Sequence, residues 1–176
     1  IACLRLLSAL CLAALLAACA SSPSSSLGEL PRTPDASIEQ LLEQATNAKT
    51  PEKAALLRLS AADLAYQQNN PGRSSQILAQ VPLDALKPAA QVFASTLAAE
   101  LAMGRNQPKA ALAALNHPSL QSLKELPTDQ QIRTGTVHAR GYEADGQTLA
   151  AARERVSMAP LLTGEAANSN HEAIWD

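Results

Sequence analysis

Beyond residue 37, apolar and small side chains recur at spacings of three and four, the period of a helix with one buried face. Ala54, Leu57, Ala61, Leu64 and Ala65 form one such stripe, and Ala89, Phe93, Leu97 and Leu101 a second. Ile132, Gly135, Thr136, Ala139 and Tyr142 form a third. The starts carry matching signals. Ser37 is placed to cap a helix from Ile38 to about Ala48, and Thr50-Pro51-Glu52-Lys53 sets a cap before a proline at the first helical position. Lys87-Pro88 opens another helix, and Thr128-Asp129-Gln130-Gln131 has the spacing of a capping box. β-branched runs are absent, and alanine, leucine, glutamine and lysine favour helix. The pattern predicts an all-α chain.

The turns between these helices repeat. "LAYQQNNPGRSSQIL" (64–78), "LAMGRNQPKAALAAL" (101–115) and "ARGYEADGQTLAAARERV" (139–156) each end a helix, pass through a Gly/Asn/Asp turn and begin a second helix. Pro71 to Pro108 is an offset of 37, Leu78 to Leu115 keeps it, and Leu115 to Val156 is 41. Paired helices at this period read as degenerate tetratricopeptide-like hairpins. A two-helix unit buries its apolar face only against neighbours, so a short right-handed solenoid is expected over residues 35–176. A plain antiparallel bundle is the simpler alternative. The final "NSNHEAIWD" reads as a helix in progress, with Ile174 and Trp175 as its apolar face and no glycine cap or proline stop. A continuation past Asp176 is expected.

The first 34 residues follow different rules. Arg5 precedes an apolar run from Leu6 to Ala18, shorter than the roughly 20 residues of a membrane-spanning helix and shaped like a secretory leader. The chain begins at Ile1, and an initiator methionine is expected ahead of it. Leu16-Ala17-Ala18-Cys19 resembles a lipobox, the bacterial lipoprotein cleavage motif, and residues 1–18 then form the signal peptide. The resemblance implies that the Cys19 thiol receives a diacylglycerol and becomes an acylated first residue. A thiolate is a suitable nucleophile for that transfer, and two or more acyl chains anchor stably. Leu10 is bulky for the position before a cleavage, which disfavours Cys11, and Cys3 lies inside the leader. The mature chain then holds one cysteine and no internal disulfide. Ala20 stands where many inner-membrane lipoproteins carry aspartate, which favours the outer membrane, periplasmic side. Residues 19–34, rich in serine and proline, read as a flexible tether.

Composition narrows the chemistry. Without Arg5, 13 basic side chains face 16 acidic ones, a net of −3, and no basic patch marks a nucleic-acid binder. Aromatics are 2% of residues, so the core must be built from small side chains. His117 sits in a turn, His138 on a helix and His171 near the end. Only Tyr142 lies at i+3 or i+4 from His138, so no metal set is expected. Neither a P-loop, a G-x-G-x-x-G nor a G-x-S-x-G element occurs. Glu52, Asp63, Glu100, Asp129 and Glu143 are spaced like solvated helix faces rather than a catalytic pair. No enzyme site and no cofactor are expected. Tyr66 and Tyr142 near the ends of first helices read as packing residues, with a ligand-facing role as the alternative. Arg73, Arg105, Arg133, Arg140, Arg153 and Arg155 are candidates for a groove holding an acidic partner segment, against a solvated surface role for most.

The chain as a whole resembles the N-terminal part of the LpoA/LppC family, outer-membrane lipoproteins that activate penicillin-binding proteins. The resemblance rests on the lipobox at Cys19, the polar tether and "NNPGRSSQILAQVP" (69–82). More specific is Met158-Ala159-Pro160-Leu161-Leu162-Thr163-Gly164, followed by Asn170 and Ile174-Trp175. It implies a non-enzymatic regulator of a class A penicillin-binding protein, a peptidoglycan synthase. It also implies that the main synthase contact belongs to a C-terminal domain, similar to two-lobed periplasmic binding proteins, which residues 1–176 do not include. Two other functions fit a helical lipoprotein. One is an assembly factor or pilotin for outer-membrane proteins, and the other is the docking arm of an enzyme.

Overall fold

The computed structural model describes residues 26–32 and 35–175. The leader, the lipobox, most of the tether and Asp176 lie outside the described residues. Helix follows helix in the order α1 (Ile38–Thr46), α2 (Pro51–Gln67), α3 (Pro71–Leu78), α4 (Pro88–Gly104), α5 (Pro108–Ala114), α6 (Thr128–Ala144), α7 (Thr148–Met158) and α8 (Gly164–Trp175). Short 3-10 segments occupy Leu83–Ala85, Pro118–Glu125 and Ala159–Leu161.

The starts follow from local chemistry. Ser37 Oγ accepts from the Gln40 amide while the Ser37 amide donates to Gln40 Oε1, a reciprocal cap. Thr50 Oγ1 accepts from the Lys53 amide, and Asn70 Oδ1 from the Arg73 amide. The expected box at Thr128 does not form. Pro127 takes the cap position with no side-chain bond, and Gln131 instead donates to the carbonyls of Lys124 and Leu126. The incoming 3-10 segment brings those carbonyls within reach, so the glutamine ties the connection to the helix rather than closing on its own first turn.

The three expected hairpins are α2–α3, α4–α5 and α6–α7. Their first helices have the same length, 17 residues each. Each ends in the same backbone device, one residue in the left-handed region: Asn69 (φ 58°), Asn106 (φ 55°) and Gly146 (φ 77°). The next amide reaches back five residues, from Asn70 to the Ala65 carbonyl, Gln107 to Ala102 and Gln147 to Tyr142. This is a Schellman closure, which satisfies carbonyls that the helix end leaves open. The hairpins pack in chain order, with α2 against α4, α4 against α6, and α3 and α5 filling the spaces between. That is the stacking of a short tetratricopeptide-like solenoid. Among the described residues there is no strand.

Packing is tighter than single stripes predict. Ala89, Phe93, Leu97 and Leu101 are all buried, but so are Val92, Ala94, Ala99 and Ala102, because α4 is the middle layer and meets neighbours on several sides. In α2 the buried apolar set is Ala55, Leu59, Ala61, Ala62 and Ala65, while Ala54, Leu57 and Leu64 are only partly covered. In α6 the buried residues include Thr134, Gly135, Val137 and Ala139, whereas Thr136 is exposed and Ile132 and Tyr142 are partly covered. Alanine's small side chain lets three layers approach on more than one face, so a one-stripe reading underestimates the burial.

Part of the expected tether is fastened to the domain. Leu27 and Leu30 pack with Ala89, Val92, Leu120, Leu123 and Leu126. The Leu27 carbonyl accepts the Ala89 amide at 2.8 Å, one of the open donors at the start of α4, where Lys87 supplies no side-chain cap. Gly28, at φ 83°, passes so close to Lys87 that a Cβ would lie 2.5 Å from Lys87 Cβ. The ordered strap begins before residue 35 because two leucines spaced by three find an apolar trough.

Candidate functional site

The long first helices of the hairpins bring polar residues onto one shared face. Asp63 and Tyr66 come from α2, Glu100 and Met103 from α4, and Arg133, Thr136, Val137 and Arg140 from α6. Arg133 is the centre. Its Nη2 lies 2.8 Å from Asp63 Oδ1 and 2.6 Å from Glu100 Oε2, and its Nε donates to Glu100 Oε1 at 2.9 Å. The guanidinium carbon stands 4.8 Å from the Phe93 ring centroid, a cation–π contact. One side chain therefore ties all three hairpins together.

Burial works against the charge on Arg133, but the hydrogen bonds and charges of Glu100 and Asp63 outweigh it and hold its pKa above the ordinary arginine value. Below that network, Thr96 spends its single hydroxyl proton on the Val92 carbonyl at 2.8 Å. Thr134 must then donate to Thr96 across 2.8 Å, and the Gln130 amide donates to Thr134 at 3.2 Å. This buried polar chain joins α4 to α6 with donors and acceptors matched.

Tyr66, Glu100, Met103, Gly104, Arg133, Thr136, Val137 and Arg140 line a groove of about 270 Å³. Tyr66 is half-buried there. Its pKa is raised, first by burial and then by Glu100, with Arg133 and Arg140 opposing. The phenol thus stays protonated and able to donate.

The sequence candidates separate. Asp63 and Glu100 are not solvated helix-face acids: Asp63 is buried, Glu100 is largely so, and both serve Arg133. An acid on a helix face carries no sign of a partner 33 or 70 positions away, which is why spacing missed them. Of the six arginines, only Arg133 and Arg140 line the groove. Arg155 pairs with Glu143, Arg105 donates to Ser75 Oγ, and Arg73 and Arg153 are exposed. Tyr66 and Tyr142 are not equivalent, because counting back from the left-handed turn residues aligns Tyr66 with Met103 and Glu143. Tyr142 stacks on His138, with ring centroids 4.5 Å apart. His138 also faces Glu154 at 3.5 Å, His117 caps the 3-10 segment through Ser119, and His171 lies tilted against Trp175. Among the described residues no three His, Cys, Asp or Glu side chains gather as a metal set. Asn170 is buried and donates to the Arg155 carbonyl at 2.9 Å, docking α8 on α7.

A family model described as "LppC putative lipoprotein" matches residues 31–176. The chain belongs to the LppC family. Solved structures agree at the level of fold. Full-length LpoA from Haemophilus influenzae superimposes with a TM-score of 0.55 at 20% identity, covering 82% of this chain and 26% of that one. The LpoA N-terminal domain from the same organism gives 0.52 at 20% identity, covering 82% of this LppC-family chain and 64% of that domain. This chain therefore spans about a quarter of the full-length relative. Comparison with curated proteins gave no match. No helix among the described residues is long and apolar enough to cross a membrane.

Proposed function

We propose that this chain is the helical arm of an outer-membrane lipoprotein that activates a class A penicillin-binding protein in the periplasm. The family match over residues 31–176, beginning twelve positions after Cys19 of the Leu16-Ala17-Ala18-Cys19 motif, carries the reading. The LpoA fold likeness supports it. In this reading the protein performs no chemistry of its own and needs no cofactor. Cys19 holds the arm at the membrane, the hairpins extend it towards the wall, and a domain beyond residue 176 makes the main synthase contact. Anchoring raises the local concentration of the activator at the wall without adding a new contact.

Because Leu27 is docked, eight Cα-to-Cα steps separate it from Cys19, a reach of at most about 29 Å at about 3.6 Å per step. A loose chain up to Asp35 would reach twice as far. The arm is thus held close to the membrane. Deleting residues 35–176 and joining the anchor directly to the rest of the protein is expected to abolish synthase activation in cells while the shortened protein is still made. Unchanged activation would overturn the role of the arm.

A further inference from the structure

The strap is fastened lightly. Among the described residues, its one hydrogen bond to the domain runs from the Ala89 amide to the Leu27 carbonyl, and neither Glu29 nor Arg32 forms an ion pair. No residue of 26–32 is buried: Leu27, Gly28, Leu30 and Pro31 are partly covered, and Ser26, Glu29 and Arg32 are exposed. A cavity of about 330 Å³ lies between residues 29–32 and helices α1 and α2. Another of about 370 Å³ lies between residues 27–32 and Glu125, Leu126 and Pro127. The trough beneath is apolar, with Ala89, Val92 and Leu126 buried. Apolar contact therefore favours docking, while the backbone freedom of seven ordered residues opposes it. Release would leave α4 its own bonds, beginning with the Gln91 amide on the Lys87 carbonyl. The Ala89 amide lies in the first turn, where water can take the place of the Leu27 carbonyl.

We propose that residues 26–32 are a releasable latch that gives the anchor two lengths. Docked, the free tether ends at Leu27. Released, it runs to Asp35, sixteen Cα-to-Cα steps from Cys19, and the reach grows to about 58 Å at about 3.6 Å per step. When the arm is held farther from the membrane than the docked strap allows, only the longer form spans the gap, so a pull on the arm shifts the population towards it. The two lengths rest on the anchored reading of Cys19, whereas the release itself does not.

The test is amide hydrogen exchange of the full chain in mild detergent, read residue by residue. Ala89 reports the strap, and Leu97, fully buried on the same helix, reports the domain. The Ala89 amide should be protected, yet exchange at least about tenfold faster than Leu97, because it opens locally. Its rate should be flat in low urea while the Leu97 rate climbs, since releasing the strap exposes little surface. The Gln91 amide should exchange more slowly than Ala89. Leu27→Ala combined with Leu30→Ala should bring Ala89 to the rate of an unstructured amide and leave Leu97 within about threefold of its own. Equal rates and urea responses at Ala89 and Leu97 would mean that the strap opens only with the domain. An unprotected Ala89 in the unaltered chain would mean that the strap never docks, and equal rates at Ala89 and Gln91 that the helix start frays as a unit. A Leu97 rate rising in step with Ala89 in the double variant would make the strap part of the core. Each of these results would overturn the latch. None bears on the lipid at Cys19, so the anchored reading stands or falls separately.

Discussion

Asn69, Asn106 and Gly146 do the same conformational work, but at different cost. A side chain in the left-handed region costs about 1 kcal/mol relative to glycine, somewhat less for asparagine. Asn69→Gly and Asn106→Gly should therefore stabilise by a few tenths of a kcal/mol, and Gly146→Ala should destabilise by about 1 kcal/mol. Urea midpoints at constant slope would check both signs. Arg133→Met should cost about 2 kcal/mol, below the 3–5 kcal/mol of a fully buried pair because the side chain keeps some water contact. The variant leaves Asp63 and Glu100 facing each other without a cation.

The pH dependence has a defined sign. Arg133's raised pKa means its contribution is fully present below the ordinary arginine value, so it is constant through neutral pH. Tyr66's raised pKa means the folded chain keeps that proton when the unfolded chain has lost it. Stability should then fall as pH rises past about 10, the unfolded tyrosine value. The tyrosinate signal lost in Tyr66→Phe should titrate above 10, and a midpoint at or below 10 would refute this.

At the scale of elements, the helix starts and hairpin turns were legible because capping is local: Ser37, Thr50, Pro51, Pro71 and Pro108 act within four residues of themselves. Thr128 was misread because its alternative partners lie in the preceding segment, where sequence spacing gives no distance. The Arg133 network and the strap were illegible for the same reason, since each joins residues separated by tens of positions. Two element-level tests follow. Ser37→Ala should cost about 1 kcal/mol by loss of its cap. Leu30→Ala or Gly28→Ala should release the strap, and the Ala89 amide, bonded to Leu27, should exchange its hydrogen faster with little change in global stability. Unchanged exchange at Ala89 would show that the strap does not cap α4.

At the scale of the molecule, the fold class was readable because a repeat writes the same instruction several times. The expectation of a lipid anchor rests on one local motif, Leu16-Ala17-Ala18-Cys19, which lies outside the described residues. A stacked solenoid with a short strap makes a stiff spacer only if its first mature residue sits in a membrane. The decisive measurement is therefore the mass of the N-terminal peptide from chain recovered in the outer-membrane fraction. It should begin at Cys19 and carry a diacylglycerol, and Cys19→Ser should move the chain out of that fraction. A mature N-terminus other than Cys19, or an unmodified cysteine on a chain found in the soluble periplasm, would contradict the anchored arm.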